Sequence, residues 1–377
     1  MSRWTEPRSV RAAVAAVVVV ALLLIGGWWA LDATTGRPVD DAAPDPAPAA
    51  DPPADPAPDP APRTPPPEPV EMTILSAGDV LPHDSVLDGA RQDDGGYDFR
   101  PLMAPIQDWT QGADLALCSL EVPLAPPGTE PTGYPVFGAP EELPGDLADL
   151  GWDGCTTATN HALDRGLEGA VHTLEGLDDA GLGVVGTGAE PGEADRYQLY
   201  RLERAGREVV VAQLAATTLL NVAVPDPPDW AVHQAGPAEL VEQARDARAA
   251  GADIVVVSMH WGTEYTHAPV PAQVTFAEEL ADSGEVDLVL GNHSHVPQPV
   301  DRLPGGPDGR GMWVAYSMGN LLSNQDSRCC TMETATGVLS IATVQVPVEG
   351  APQVTDVEWA PVTVDTEGGH RVYPLAE

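Results

Sequence analysis

The chain carries the stretch Val286-Asp287-Leu288-Val289-Leu290-Gly291-Asn292-His293-Ser294-His295, which indicates its fold better than any other. Its apolar run is typical of a buried strand, and two histidines follow directly where the run ends. Side chains at i and i+2 of an extended chain point to the same side, so the imidazoles of His293 and His295 are expected to face the same side of the chain. Because imidazole is the commonest metal-binding side chain at neutral pH, the stretch predicts a metal site at a strand end.

The same arrangement, an apolar run that ends in a polar group, occurs at four earlier places. The runs 73–79, 115–120, 155–159 and 254–260 each end in, or are followed by, a possible metal ligand or acid/base group. Ligands of open α/β sheets bind beyond the carboxyl ends of the strands, so we expect these groups to meet. The groups are Asp79, Glu121, Asn160 with His161, and His260.

Such a set suits a two-metal hydrolase. In these sites two cations lie about 3.5–4 Å apart, held or bridged by acidic residues, with imidazole or amide groups in the remaining positions. Mixed nitrogen and oxygen ligands suit Mn, Zn or Fe better than Mg. Asn160 can offer its amide oxygen to a metal, and His161 can protonate a leaving group. Asp79 or Glu121 alone would more simply cap a turn or lie on the surface, so the combination is what indicates a site.

Three further residues are candidates because they accompany these motifs. Glu264 lies four positions after His260 and is a candidate catalytic group. Asn320, in Tyr316-Ser317-Met318-Gly319-Asn320, can line a substrate pocket, although a Gly-Asn turn explains it equally well. Arg165 is a candidate contact for an anionic substrate. Other histidines have no partner pattern and are expected at surface or capping positions, with His83 closest to Asp79: His83, His172, His233, His267 and His370.

The first residues carry a membrane signal. Residues 12–31 contain no charge and are about as long as a helix that crosses the hydrocarbon core of a bilayer. Arg3, Arg8 and Arg11 precede them, which by the positive-inside tendency leaves residues 1–11 in the cytoplasm. We therefore predict a single-pass protein of the cell membrane with an extracytoplasmic domain. A cleaved signal peptide is the alternative, but Gly26-Gly27-Trp28-Trp29 fits a cleavage site poorly.

The rest of the chain divides into a spacer and one domain. Residues 32–69 are rich in Pro, Ala and Asp and cannot bury a core, so we expect a disordered, extended linker. Residues 70–377 then form the folded domain. Its cysteines allow three pairings, although adjacent cysteines would rarely pair with each other. They are Cys118, Cys155, Cys329 and Cys330.

The chain is strongly acidic, with a formal net charge of −39, and all of its basic residues are arginine. The basic surface that nucleic acid requires is absent, which excludes DNA or RNA binding as the expected function. An anionic substrate would need bound cations to supply positive charge locally. The arginines nearest the motifs are Arg100, Arg165, Arg302 and Arg328.

From residue 70 onward, apolar runs typical of strands alternate with helical patterns. This alternation predicts an α/β layered fold in which helices cover sheets. The last two strands have little helix between them and are expected to pair as an antiparallel hairpin. The predicted strands are 71–77, 114–120, 154–159, 182–186, 197–203, 208–214, 253–259, 286–291, 312–318, 336–346 and 353–364, and the predicted helices are 98–111, 140–150, 167–181, 236–250 and 271–283.

Six motifs, in this order, resemble the bacterial capsule-synthesis CapA family, which is associated with poly-γ-glutamate capsule production. The resemblance covers about residues 72–345. The motifs are Ser76-Ala77-Gly78-Asp79, Ser119-Leu120-Glu121, Thr159-Asn160-His161-Ala162-Leu163-Asp164, His260-Trp261-Gly262-Thr263-Glu264-Tyr265, Gly291-Asn292-His293-Ser294-His295-Val296-Pro297-Gln298-Pro299 and Tyr316-Ser317-Met318-Gly319-Asn320.

The resemblance implies a calcineurin-like metallophosphoesterase fold, a β-sandwich flanked by helices, with two divalent metals and His161 as the proton donor. The chain departs from the family pattern at Ser119, where Asn is frequent, and at Asn292, where His is frequent. Leu81 replaces the histidine of the Asp-x-His motif that metallophosphoesterases share, so one metal position is short of a ligand. The implied metal ligands are Asp79, Glu121, Asn160, His260, His293 and His295.

Three functions remain open on the sequence. The first is a membrane-anchored, metal-dependent hydrolase or transferase of capsule or poly-γ-glutamate biosynthesis. It would act on an anionic cell-envelope polymer or a phosphoester, beside other capsule-synthesis membrane proteins. The second is a non-catalytic component that binds or exports the polymer, and the third is a generic metallophosphoesterase. A nearly complete ligand set favours the enzyme, whereas Leu81 favours the binding component.

Overall fold

A computed structural model describes residues 68–221 and 227–375. The predicted cytoplasmic tail 1–11, the anchor 12–31 and nearly all of the linker 32–69 lie outside the described residues. Within the two described ranges, no helix has both the length and the apolar character that crossing a membrane requires.

The described strands form two sheets. The larger has eight strands in the order β14-β13-β12-β1-β2-β3-β4, with β11 paired to β1, and the smaller has six in the order β5-β6-β7-β8-β10-β9. In chain order the strands are β1 (Val70–Val80), β2 (Leu115–Leu120), β3 (Gly154–Thr156), β4 (Gly183–Val185), β5 (Gln198–Arg204), β6 (Arg207–Thr217), β7 (Ile254–His260), β8 (Leu288–Asn292), β9 (Val300–Leu303), β10 (Met312–Ala315), β11 (Asn320–Leu322), β12 (Thr336–Val346), β13 (Gln353–Val364) and β14 (Val372–Pro374).

Each sheet combines a parallel part with antiparallel strands: in the smaller sheet antiparallel strands lie at both margins, and in the larger sheet they lie at the β14 margin only. Strands β1 to β4 run parallel, as do β6, β7, β8 and β10, while β12 and β13 form the expected antiparallel hairpin. Helices form most of the crossover connections between consecutive parallel strands, as is usual, whereas β8 and β10 are connected through β9. The helices are α1 (Asp84–Ala90), α2 (Arg100–Met103), α3 (Gln107–Gly112), α4 (Leu143–Asp149), α5 (Gly166–Asp179), α6 (Pro237–Ala249) and α7 (Pro271–Ser283).

The alternation of side chains along the strands produces the layers. On β1, Leu75 and Ala77 pack in a core shared with helices α1, α2, α4 and α5, while Met72 and Ile74 pack in a core shared with strands of the other sheet. A third core lies between the smaller sheet and helices α6 and α7. The predicted α/β sandwich with flanking helices is therefore confirmed.

All eleven predicted strands have counterparts, but helix 98–111 does not form in one piece. It is divided into α2, a 3-10 turn (Ala104–Ile106) and α3. Pro105 causes the break, because proline lacks the backbone N–H that continues a helix and its ring clashes with the preceding turn. The sequence also missed α1, β9, β11 and β14, each of seven residues or fewer, which are too short to show a periodic pattern.

The four cysteines form two disulfide bonds. Cys118 and Cys155 lie opposite each other on the adjacent parallel strands β2 and β3 and are bonded. Cys329 and Cys330 are bonded to each other as well, a pairing that was expected to be rare between adjacent cysteines. A turn explains the second pair, because the backbone N–H groups of both residues donate to the Asp326 carbonyl and curl the chain there.

Close backbone packing at the end of β8 yields a stability prediction. A Cβ added to Gly291 would overlap the carbonyl of Tyr316, to which the Trp261 indole N–H donates at 2.9 Å. We expect Gly291→Ala to lower the free energy of unfolding by about 1–3 kcal/mol, as overpacked cores generally do. Urea denaturation measures the change. The control Gly145→Ala, in α4 with open space around it, should leave stability equal or higher, and equal losses in both variants would contradict the packing argument.

Candidate metal centre

Two groups of buried side chains converge at the ends of strands from both sheets. The first group contains Asp79, Glu121 and His295, and the second contains Glu121, His260 and His293. Within each group the possible ligand atoms all lie within 4.8 Å of one another. Glu121 belongs to both groups and is fully buried. Glu121 is therefore the residue that the two candidate ligand groups have in common.

Asp79 is fixed at the end of β1 through both of its carboxylate oxygens. The Ser119 hydroxyl donates to Oδ1 at 2.9 Å, and the backbone N–H of His293 donates to Oδ2 at 3.2 Å. The backbone N–H of Asp79 donates to the Gly319 carbonyl at 2.9 Å. A Cβ at position 78 would overlap that carbonyl, so Gly78 is required for this close approach. The motifs around Asp79 and Gly319 are thus one structural unit.

His293 and His295 both reach the site, but not as neighbours on an extended strand. Strand β8 ends at Asn292, and His293 and His295 have positive φ angles of 93° and 58°. Non-glycine residues in this region cost about 1–3 kcal/mol each and persist where the surroundings enforce them. The prediction that the two imidazoles point to the same side of an extended strand is therefore corrected. The turn after β8 aims one imidazole at each group.

The Nε2 atom of His260 is the point on which the donor atoms of the second group converge. It lies 2.7 Å from Oδ1 of Asn160, 3.2 Å from Nδ1 of His293 and 3.5 Å from Oε1 of Glu121. Asn160 comes from the loop after β3 and turns its amide oxygen toward the imidazoles. Its oxygen is therefore a fourth donor for a cation in the second group.

Burial and the neighbouring charges shift the pKa values of the ionisable side chains in the centre. Burial, together with the charge of Glu121, raises the pKa of Asp79 well above its usual value. Burial also lowers the pKa of His260 and brings that of His293 to about 2, so both rings are neutral at pH 7. Although burial raises the pKa of Glu121, the charge of His295 and the hydrogen bond and charge of His260 outweigh burial and leave that pKa below its usual value. A fully buried ionised carboxylate is unfavourable without a positive partner, so a cation beside Glu121 would stabilise it.

The donor atoms left without partners fit divalent cations. Among the described residues, neither oxygen of Glu121 has a hydrogen-bond partner, and neither has Nδ1 of His260. Buried polar atoms are rarely left in this state unless an ion or ligand satisfies them. The combination of carboxylate, amide and imidazole donors suits Mn, Zn or Fe, whereas Mg prefers oxygen alone.

His161 lies beside the centre and belongs to neither ligand group. Its Nδ1 lies 2.8 Å from Oδ2 of Asp164, and Nδ2 of Asn221 lies 3.5 Å from its Nε2. Although burial lowers the pKa of His161, the hydrogen bond and charge of Asp164 outweigh burial and leave that pKa above its usual value. The carboxylate holds the proton on Nδ1, so Nε2 is the atom that can deliver a proton.

Asn320 is fully buried and uses its whole amide group inside the protein. Its Oδ1 accepts the Nδ1–H of His295 at 3.0 Å, and its Nδ2 donates to Gln325 Oε1 at 3.0 Å and to the Thr334 carbonyl at 2.9 Å. The two acceptors fix the orientation of the amide, so its oxygen must face His295. Asn320 therefore holds a candidate metal ligand, and the predicted substrate contact stays a prediction.

Arg165 and Glu264 lie outside the two ligand groups. The Arg165 guanidinium donates to the carbonyls of Phe137 and Glu130 at 3.0 and 3.1 Å, and so fixes the loop beside His161. Glu264 is exposed in the loop after β7, and its charge contributes to the raised pKa of His161. Their predicted roles in substrate binding and catalysis stay predictions.

Several contacts of the centre were not predicted from the sequence. Asp164 had a local signal, since it follows His161 by three residues within one motif. Ser119 also stood in a motif, as the residue that replaces Asn. Phe137 had no such signal, because tertiary structure brings its loop to the site. His83 was noted only as the histidine nearest Asp79 and was expected at a surface or capping position, whereas it is buried.

The sequence between residues 73 and 325 matches the family model "Bacterial capsule synthesis protein PGA_cap". This match includes every candidate ligand and covers most of the described domain. The chain belongs to this family. The resemblance found in the six motifs is therefore confirmed.

Two relatives and one solved structure illustrate the similarity. A Mycobacterium tuberculosis protein named "Probable polyglutamine synthesis accessory protein" is 30% identical over 229 residues, which are 56% of this chain and 56% of that protein. "Capsule biosynthesis protein CapA" of Bacillus anthracis is 29% identical over 195 residues, 50% of this chain and 44% of that protein. The matched part thus spans about half the length of these relatives.

The solved structure is the calcineurin-like phosphoesterase YfkN from Bacillus subtilis. It is 15% identical, with a TM-score of 0.46, over 80% of this chain and 92% of that chain. A similarity this weak does not establish a shared activity.

The contact between Asn320 and His295 yields a prediction about metal affinity. Asn320→Ala removes the acceptor of the His295 Nδ1–H while leaving all candidate ligands in place. Loss of such an orienting partner typically weakens metal affinity by about 10–100-fold, and we expect a loss in that range. Competition between the full-length protein and a chromophoric Zn²⁺ chelator measures the affinity. Gln353→Ala on β13 is the control, and equal affinities for both variants and the wild type would contradict the role of Asn320.

Proposed function

We propose that this protein is a metal-dependent hydrolase or transferase of capsule or poly-γ-glutamate biosynthesis, with two divalent cations bridged by Glu121. The observation that carries the proposal is the fully buried Glu121 carboxylate, which belongs to two ligand groups and has no hydrogen-bond partner among the described residues. A structural carboxylate would be paired at this depth. The family assignment supports a role in capsule synthesis.

In this proposal the ligand groups divide between two cation positions. Asp79, Glu121 and His295 would hold one cation, and Glu121, Asn160, His260 and His293 would hold the other. Bound divalent cations would supply Lewis acidity and neutralise charge on the transferred group. Mn, Zn or Fe fits the mixed donors better than Mg.

His161 would be the proton donor. Its Nδ1 is bonded to Asp164, and the Asp164 Oδ2 atom also accepts the backbone N–H of Phe137 at 2.9 Å. These contacts fix the imidazole, and Nε2, which lies 3.5 Å from Nδ2 of Asn221, is the atom that would protonate a leaving oxygen. Glu264 would assist by keeping negative charge near the ring, since its charge contributes to the raised pKa of His161.

The charge distribution supports cations as the means of attracting an anionic substrate. Of the arginines nearest the motifs, Arg100 forms ion pairs with three aspartates and Arg328 with Asp326. Arg302 donates to the Arg310 carbonyl and stacks over Trp313, and Arg165 donates to the Phe137 carbonyl. These side chains are already engaged by the protein. An anionic cell-envelope polymer or phosphoester would therefore meet positive charge mainly at the metal centre.

The location proposed for this activity is the outer side of the cell membrane. The uncharged segment 12–31 would be the single-pass anchor, and the Pro-rich linker 32–69 would hold the domain away from the bilayer. Other membrane proteins of capsule synthesis are the expected partners there.

A non-catalytic polymer-binding or export component is the second candidate. It is favoured by Leu81, which is buried in the apolar core at the position where metallophosphoesterases carry a ligating histidine. A centre that lacks this ligand could bind metal and polymer without turnover. A generic metallophosphoesterase would differ from the first proposal only in its substrate.

The proposal is tested by measuring metal content and turnover in the full-length wild-type protein and in its Glu121→Gln variant. We expect the wild type to hold about two divalent cations and to hydrolyse phenyl phosphate, bis(p-nitrophenyl) phosphate or poly-γ-glutamate. Glu121→Gln should lose both cations and turnover, because it removes the shared ligand. The exposed Glu279→Gln is the control. Two cations retained by Glu121→Gln would contradict the bridge, and bound metal without turnover of any substrate would favour the binding component.

The role of His161 is tested by varying the leaving group. Protonation matters more for a poor leaving group such as phenol than for a good one such as p-nitrophenol. We expect His161→Gln to lower kcat by about 100-fold with phenyl phosphate and by less than about tenfold with p-nitrophenyl phosphate. Stopped assays of the full-length protein measure both rates. Equal losses with the two substrates would show that His161 does not protonate the leaving group.

A further inference from the structure

One buried amide at the end of β8 has no part in the proposed function. Asn292, the last residue of that strand, is 3% exposed. Its Oδ1 has no hydrogen-bond partner among the described residues. A buried oxygen is rarely left in this state unless an ion or a ligand satisfies it. Asn292 therefore offers an oxygen donor for which the protein itself provides no partner.

The alternation of side chains along β8 shows which face Asn292 occupies. Leu288 and Leu290 pack in the core between the two sheets, whereas Val289 packs in the core beneath helices α6 and α7. Side chains two residues apart share a face, so the Asn292 side chain is on the face directed at the larger sheet. Asn292 is also the register partner of His260 on β7, whose imidazole enters the candidate metal centre. The amide and this imidazole are therefore neighbours at the ends of adjacent strands.

The carboxylate of Asp79 reaches the same point from the larger sheet. Its Oδ1 lies 3.9 Å from Nδ1 of His260, and its Oδ2 accepts the backbone N–H of His293 at 3.2 Å. Asn292 adjoins both of these contacts, because it is the register partner of His260 and directly precedes His293. Its amide therefore lies next to Asp79, and so next to the first ligand group.

The first ligand group is the one that is short of a donor. Leu81 stands two residues after Asp79, where metallophosphoesterases carry a ligating histidine, and its side chain is buried in the apolar core. An asparagine carbonyl oxygen is an established ligand of divalent cations. Because the amide is neutral, it can complete the group without adding a third negative charge beside the buried carboxylates of Asp79 and Glu121.

We propose that Oδ1 of Asn292 is a further ligand of the cation in the first group and compensates for the histidine that Leu81 replaces. This inference rests on the proposed function and deepens it, because it completes one metal position and specifies the cation that suits it. With Asn292 the group offers three oxygen donors and one imidazole. Such a set suits Mn²⁺ better than Zn²⁺.

The test measures Mn²⁺ binding by the full-length wild type and by Asn292→Leu, which is close in size and lacks the oxygen. Loss of a partner that only orients a ligand weakens metal affinity by about 10–100-fold, and loss of a ligand should cost at least as much. We therefore expect one of two Mn²⁺ ions to bind at least about tenfold more weakly, while the other keeps its affinity. Isothermal titration calorimetry of the metal-free protein measures both.

Ser340→Ala is the matched control for this measurement. Ser340 is also almost fully buried, and its Oγ also has no hydrogen-bond partner among the described residues. It lies on β12 opposite Ser76, outside both ligand groups. Ser340→Ala should therefore bind both Mn²⁺ ions as the wild type does.

Urea denaturation separates a ligand from an amide that only supports the fold. A buried amide oxygen without a partner is unfavourable, so metal-free Asn292→Leu should be at least as stable as the wild type. Saturating Mn²⁺ should then stabilise this variant less than the wild type, because stabilisation follows affinity for the folded state. Asn292→Asp keeps an oxygen and should retain both ions, but it should be less stable without metal, since it adds a third buried carboxylate.

Each other outcome contradicts the inference in a distinct way. Wild-type affinity for both ions in Asn292→Leu would show that Asn292 is not a ligand and would leave the two-cation proposal intact. Lower metal-free stability of Asn292→Leu, together with loss of an ion from Asn292→Asp, would make the amide a structural group. If Asn292→Leu does not fold, loss of an ion from Asn292→Asp alone overturns the inference. Wild-type protein that binds fewer than two Mn²⁺ ions would overturn the proposed metal centre, and the role of Asn292 with it.

Discussion

Electrostatic repulsion between two buried carboxylates, Asp79 and Glu121, is the constraint on which the rest of the site depends. Both are fully buried, and the charge of Glu121 helps to raise the pKa of Asp79. No arginine is among their described contacts, and the chain contains no lysine. The imidazoles of His260, His293 and His295 lie beside them instead. Bound cations would stabilise such a centre, and in the proposed function metal affinity and the stability of the fold would be linked.

The sandwich distributes this centre between its two sheets. The larger sheet contributes the oxygen donors, through the ends of β1, β2 and β3, and the smaller sheet contributes the imidazoles, through β7 and β8. Asn320, on β11 of the larger sheet, then crosses back to hold His295. The close contact of Gly78 with Gly319 serves the same arrangement, because it brings β1 and β11 together beneath the ligands.

The sequence was informative about layers and ligand types and less so about orientation. Apolar runs that end in Asp, Glu, Asn or His identified both the parallel strands and the candidate ligands, because local periodicity and strand-end chemistry are encoded locally. The positive φ angle of His293 depends on a contact with Asp79, and the orientation of Asn320 depends on Gln325 and Thr334. The break at Pro105 had a local signal that the helical pattern outweighed. The Cys118–Cys155 pair required knowledge that β2 and β3 are adjacent.

The residues of the candidate metal centre are far apart in the sequence, so the centre forms only when the chain folds. The contact between Asp79 and His293 joins residues 214 positions apart, and that between Asn160 and His260 joins residues 100 apart. Contacts between residues so far apart in the sequence form late in folding. The chain entropy lost in forming them is offset only when most of the other native contacts are present. A chain in which these contacts have not formed has not brought the candidate ligands together. In the proposed function, metal capture by this centre would therefore depend on formation of the folded sandwich.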